Sequence, residues 1–245
     1  MKLSLVIGAG AVDAAYKNLY KVGGLAAFVA AALIVGLAIA FTLYPQPETA
    51  IDWFELFQDN TLVGLLDFWA LEVLGYVMFA LVFLALCFAL KEADPGLMAI
   101  ALAFSLLGIG IFLATNRPFA MLSLSDQYAA ASTDAERAIF LAAGQATLAN
   151  TGQRVVGGFN VGLFLLSVAG LLVSGVMLKS AAFSKTIAYV GLAAWALSLL
   201  DYLRQILTQS EIIALAVILP HTLLLMAWFV LVGRRLYQLG RALNG

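Results

Sequence analysis

The sequence has one cysteine, one histidine and few charges: Lys, Arg, Asp and Glu together make up 11% of its 245 residues. Each shortage excludes a class of chemistry. Cys87 has no partner for an intrachain disulfide and cannot build a cysteine cage for a metal; set in an apolar run, it reads as a small core hydrophobe. His221 alone excludes bis-histidine haem ligation within the chain and a zinc site made mainly of His and Cys. Every lysine lies at or beyond the end of an apolar stretch, so none can form a buried Schiff base of the retinal kind. There is no Walker sequence and no dinucleotide glycine fingerprint, and Gly8 and Gly10 precede no βαβ unit. The net charge of −1 leaves no basic footprint for nucleic acid. No metal site and no cofactor is indicated.

What is plentiful is apolar surface, with 64% hydrophobic residues and a mean hydropathy of +1.02. A helix crosses the ~30 Å hydrocarbon core in about 20 apolar residues. Six stretches meet that demand: 22–44, 62–90, 97–115, 155–178, 186–207 and 212–233. They lack the alternation of membrane strands. The expectation is an all-α, polytopic transmembrane helical bundle of about six helices, forming one domain over 1–245. Residues 1–20 read as a retained cytoplasmic or interfacial lead-in. Pro45 and Pro47 end the first helix, Asp94-Pro95-Gly96 turns between the second and third, and 179–185 joins the fourth to the fifth.

Two segments outside the spans carry structure of their own. In 45–61, Glu48, Asp52, Glu55 and Asp59 are mixed with Trp53, Phe54 and Phe57, which predicts a short helix lying at the interface with its rings at headgroup level. Segment 116–154 is too long for a plain loop. Thr133 and Glu136 have capping-box spacing, which predicts a helix from about Asp134 to Leu148 over the outer mouth of the bundle. With the N-terminus cytoplasmic, Lys2, Lys17, Lys21, Lys91, Lys179, Lys185, Arg234, Arg235 and Arg241 all fall inside, nine of the 13 Lys and Arg. The positive-inside rule then places both termini in the cytoplasm of a cell membrane.

Polar groups within the spans are the candidate site. Glu72 lies about ten residues into the second stretch, ~15 Å deep by helix rise, with Tyr76 one turn on along the same face. Its alternatives are a proton or ligand site and a satisfied interhelical hydrogen bond. His221 follows Pro220, which frees the carbonyl of Ala216; a kink with His221 or Thr222 as substitute donor stands beside a ligand or proton-transfer role. Asp201 and Arg204 have the spacing to pair along one helix face. Together with Asp67, Arg154 and Asn160 these groups occupy the outer half of the bundle and leave the inner half nearly free, as a polar cup open outwards would. Gly158, Gly162, Gly170 and Ser174 recur at multiples of four and allow a close helix-packing surface, against a helix of this chain or of another.

The run from Leu122 through Ser125, Asp126, Gln127 and Tyr128 to Glu136, Arg137 and Ala138, then 141–146, resembles a bacterial family of small, uncharacterised six-pass membrane proteins. Residues 176–191 are similar to it as well. The resemblance implies a six-helix bundle in a cell inner membrane and brings no catalytic residues.

Three readings of function follow. The first is a non-enzymatic membrane protein binding a small or lipophilic ligand in an outward-facing polar pocket, with Glu72, Tyr76, Asn160, Asp201, Arg204 and His221 as ligand-binding candidates. The second is a structural or accessory subunit, packed through the Gly158–Gly162 surface against a membrane-protein partner or a second copy of itself. The third is an intramembrane enzyme using Glu72 and His221 as an acid/base pair. Membrane lipid is the partner common to all three.

Overall fold

The structure is a computed structural model of the chain and describes residues 14–43, 46–66, 70–149, 161–208 and 210–242. These residues are almost all helical, and no strand occurs among them. After a 3-10 turn at Ala14–Tyr16 the helices are α1 (Lys17–Leu43), α2 (Ala50–Asp59), α3 (Thr61–Leu65), α4 (Leu71–Leu90), α5 (Pro95–Thr115), α6 (Pro118–Ala130), α7 (Asp134–Ala149), α8 (Val161–Met177), α9 (Lys185–Leu207) and α10 (Glu211–Ala242).

α1, α4, α5, α9 and α10 are long and apolar enough to cross a membrane. α8 has the same composition over 17 residues, ~26 Å by helix rise. The sequence places its upstream part at 155–160, outside the described residues. The protein is therefore a multi-pass helical membrane protein. The six long helices form a closed ring in the order α4, α1, α10, α9, α8, α5 and back to α4, and α4 also touches α8 and α10. α4 carries one charged residue, Glu72 in its first turn, and is uncharged from there to its end.

Between apolar helices in lipid there is little hydrophobic drive to associate, so close backbone approach matters more. Glycines supply it. A Cβ on Gly24 would press on the backbone of Gly233 and Tyr237, and one on Gly240 on that of Lys17 and Lys21. Gly23 receives Ala85 of α4. These contacts explain why α10 runs nine residues past the predicted end at Gly233: its last turns lie along the start of α1.

One end of the ring collects the basic residues. Tyr16 packs on Phe88 with ring centroids 4.3 Å apart, and Lys91 Nζ stands 4.6 Å from the Tyr16 ring. Lys179 Nζ donates to Asp94 at 3.0 Å, tying the α8–α9 turn to the α4–α5 turn. Arg235 Nε donates to the carbonyl of Ala182. Lys17, Lys21, Lys91, Lys179, Lys185, Arg234, Arg235 and Arg241 thus share one end; Lys2 lies outside the described residues.

At the other end α2, α6 and α7 pack chiefly on one another and form a three-helix cap. Ala50, Trp53, Phe54, Phe57, Met121 and Leu148 make a core separate from that of the ring. Thr49 begins α2 with a capping box to Asp52, and Glu136 accepts from the backbone N–H groups of Ser132 and Thr133 at the start of α7. The hydrogen bonds hold the carboxyls of Asp52 and Glu136 below the usual range. The short helix expected in 45–61 is present as α2, but its aromatic rings are placed differently. Trp53, Phe54 and Phe57 are 1–2% exposed, buried against α6 and α7 rather than set among headgroups. Segment 116–154 holds α6 as well as the expected α7; Pro118 at the first helical position starts it.

Candidate functional site

The candidate residues that can be placed come from α4, α9 and α10, in the half of the ring nearer the cap. Glu72 sits in the first turn of α4 and is half-buried. One turn on, the Tyr76 ring stacks on Phe112 of α5 with centroids 3.7 Å apart. Tyr76 is within electrostatic range of Glu72 and of Tyr202 on α9, and among the described residues no hydrogen bond joins it to Glu72. Aromatic stacking sets the direction of the ring instead.

On α9, Arg204 Nε donates to Asp201 Oδ1 at 2.7 Å. The two side chains are only 10% and 18% exposed, so this i,i+3 pair is largely withdrawn into the protein. Tyr202 between them is 7% exposed and meets Phe164 of α8 edge-on at 6.3 Å. His221 reaches from α10 to α9, with Nδ1 2.9 Å from the carbonyl oxygen of Ala194, and Asp201 is within its electrostatic range. Glu72 is not its partner. α10 continues through Pro220, and the hydroxyl of Thr222 donates to the carbonyl of Ile218. Neither side chain serves the carbonyl of Ala216 as the kink reading allowed: His221 spends its ring nitrogen on the neighbouring helix and Thr222 its hydroxyl on Ile218.

Asn160, Gly158, Asp67, Gln153 and Arg154 lie outside the described residues. Of the small-residue stripe, Gly162 is buried against Gly108 of α5, Gly170 against the indole of Trp195, and Ser174 beside Gly191 of α9. All three face helices of the same chain.

Sequence reasoning passed over several groups. Tyr202 was legible from its place between Asp201 and Arg204. Ser167 and Ser198 share a hydrogen bond of 2.7 Å between α8 and α9, which no spacing within one helix reveals. Thr115, Arg117, Ala146 and Thr147 line a cleft of about 360 Å3 where α7 approaches the end of α5. Farther round the ring, α1 and α10 part beyond their glycine contacts. They leave an apolar groove of about 520 Å3, lined among others by Ile34, Ile39, Leu219, Leu223 and Met226.

These features define a polytopic α-helical membrane protein with a polar cluster in one half of its bundle and a helical cap at that end. Among known proteins no family model, no curated protein and no solved structure matches the chain.

Proposed function

We propose that the protein is a non-enzymatic, multi-pass protein of the cell inner membrane that binds a small or lipophilic ligand in the cap-side half of its bundle. The observation that carries this reading is the withdrawn Asp201–Arg204 pair. Charges are expensive inside a membrane helix and are kept chiefly where they face a ligand, water or each other. Tyr202 lies between the two in sequence, His221 is within electrostatic range of Asp201, and Tyr76 is within that of Tyr202 and Glu72, an assortment of donors and acceptors beside aromatic walls, suited to a ligand with one polar end. The groove between α1 and α10, next to the stretch of α10 that bears His221, supports a lipophilic ligand in particular. With both termini cytoplasmic, the cap and the polar half face outwards. The resemblance to six-pass bacterial membrane proteins agrees with that setting.

The test is native mass spectrometry of the protein extracted gently from its host membrane. The wild type should retain a species of fixed mass, and Arg204→Gln should release it. A wild type that carries nothing, or a variant that retains the same species equally, rules the reading out.

A further inference from the structure

We infer that the basic end of the bundle carries a second site, which binds a phosphate group presented by an anionic lipid headgroup. Between the start of α9 and the last third of α10 lies a cavity of about 510 Å3. Ser184, Thr186, Ile187, Leu231, Arg234 and Arg235 are among its lining residues, and no carboxylate is. Arg235 is anchored by its Nε–H on the carbonyl of Ala182, and its terminal nitrogens make no hydrogen bond or ion pair among the described residues. Arg234 makes no ion pair or hydrogen bond among the described residues. Two neighbouring guanidiniums with no counter-charge repel each other, and a planar fork of N–H donors matches a phosphate's oxygens. The first turn of α9 adds backbone N–H groups beyond the one capped by Ser184, together with the Thr186 hydroxyl.

The same phosphate chemistry is offered by free phosphate, but the walls favour a lipid. Ile187 and Leu231 belong to membrane-spanning helices and give the cavity an apolar side on which acyl chains can lie. Basic residues outnumber acidic ones at the surrounding end of the ring, which draws anionic headgroups to it. This site is at the opposite end of the bundle from the Asp201–Arg204 cluster, so either reading stands or falls without the other.

Native mass spectrometry of the full chain in dodecylmaltoside micelles, titrated separately with dioleoylphosphatidylglycerol, dioleoylphosphatidylcholine and sodium phosphate, tests it. Phosphatidylglycerol should bind about tenfold more tightly than phosphatidylcholine, and Arg234→Gln should remove most of that preference. Arg234 has no hydrogen-bond or ion-pair partner among the described residues, so the change breaks no bond among them. Lys185→Gln, at the same end but outside the cavity lining, should lower the preference much less than Arg234→Gln does. Equal binding of the two lipids overturns the site. So does an equal loss from Lys185→Gln and Arg234→Gln, which would mean diffuse surface attraction. Sodium phosphate binding as tightly as phosphatidylglycerol would assign the cavity to free phosphate and overturn the lipid assignment.

Discussion

The indole of Trp195 on α9 lies directly against the backbone of Gly170 on α8, so closely that a Cβ at Gly170 would overlap the ring. Trp195 in turn meets Trp228 edge-on at 5.6 Å, and Phe83 at 6.0 Å, at the centre of the ring's core. A rigid ring held on several sides cannot yield to a new methyl group. Gly170→Ala is therefore expected to destabilise the bundle by about 1–3 kcal/mol, as overpacking does. Gly175 on the same helix has open space where its Cβ would be. Gly175→Ala should be neutral or stabilising, by up to about 1 kcal/mol from helix propensity. Thermal unfolding in detergent separates the two. Equal losses would mean that α8 does not pack on α9 through Gly170.

In the cap, the buried hydroxyl of Ser125 donates to the carbonyl of Phe54 at 2.9 Å and accepts from Gln58 Nε2 at 3.0 Å. Ser125→Ala removes both bonds, but the Phe54 carbonyl lies inside α2 and keeps its place in the helical ladder, so the cost is about 0.5–1.5 kcal/mol. Phe54→Ala removes a ring that fills the cap core and should cost about 3–5 kcal/mol. Both effects should stay local, because the cap core is separate from that of the ring. Faster tryptic cleavage after Arg137, with unchanged melting of the membrane helices, is the expected pattern. Cleavage at the wild-type rate in Phe54→Ala would refute the cap core.

The helices of the ring, and α7 of the cap, were legible because their signals are local. Apolar runs of spanning length, Pro95 after a capping Asp94, and the Thr133–Glu136 spacing each act within a few residues, and α5, α7 and α9 fall within a few residues of their expected bounds. The cap was half legible. Trp53, Phe54 and Phe57 have the same composition whether they meet headgroups or a private core, and only α6 and α7, some seventy residues on, decide which. The same limit applies to the polar cluster. Spacing along one helix predicted Asp201–Arg204, but the choice of Phe112 for Tyr76 and of Ala194 for His221 depends on neighbouring helices. Arg234 and Arg235 were read as orientation signals alone, since a cavity between two helices leaves no mark on either.

Asp94 gives the basic end a pH dependence. Its carboxylate accepts from the Leu97 N–H as the N-cap of α5 and from Lys179, and both hold its carboxyl below the usual range. A carboxyl lowered in the folded state contributes stability in full above its unfolded value, near 4, and loses it as pH falls through the folded value. The tie between the α4–α5 and α8–α9 turns should therefore weaken below about pH 4. Asp94→Asn keeps a capping side chain but removes the charge. It should flatten the fall in melting temperature over that acid range; an unchanged profile would show that other carboxylates govern it.

The topology admits the most direct check. Successive spans alternate in direction, and the contacts of Tyr16 with Phe88, Lys179 with Asp94, and Arg235 with Ala182 bring the start of α1, the two turns and the end of α10 to one end. The cap is at the other. Eight described lysines and arginines lie at the first end, and charge of that sign sets orientation during insertion. That end should face the cytoplasm. Reversing the chain would carry two basic turns and a basic C-terminal helix end across the membrane. Single cysteines at Glu92, exposed in the α4–α5 turn, and at Ser132, exposed between α6 and α7, report the two sides in a Cys87→Ala background. A membrane-impermeant maleimide applied to spheroplasts should label Ser132→Cys at once and Glu92→Cys only after permeabilisation. The reverse result would invert the orientation while leaving the bundle intact, and labelling of both from one side would mean that α5, the single span between them, does not cross.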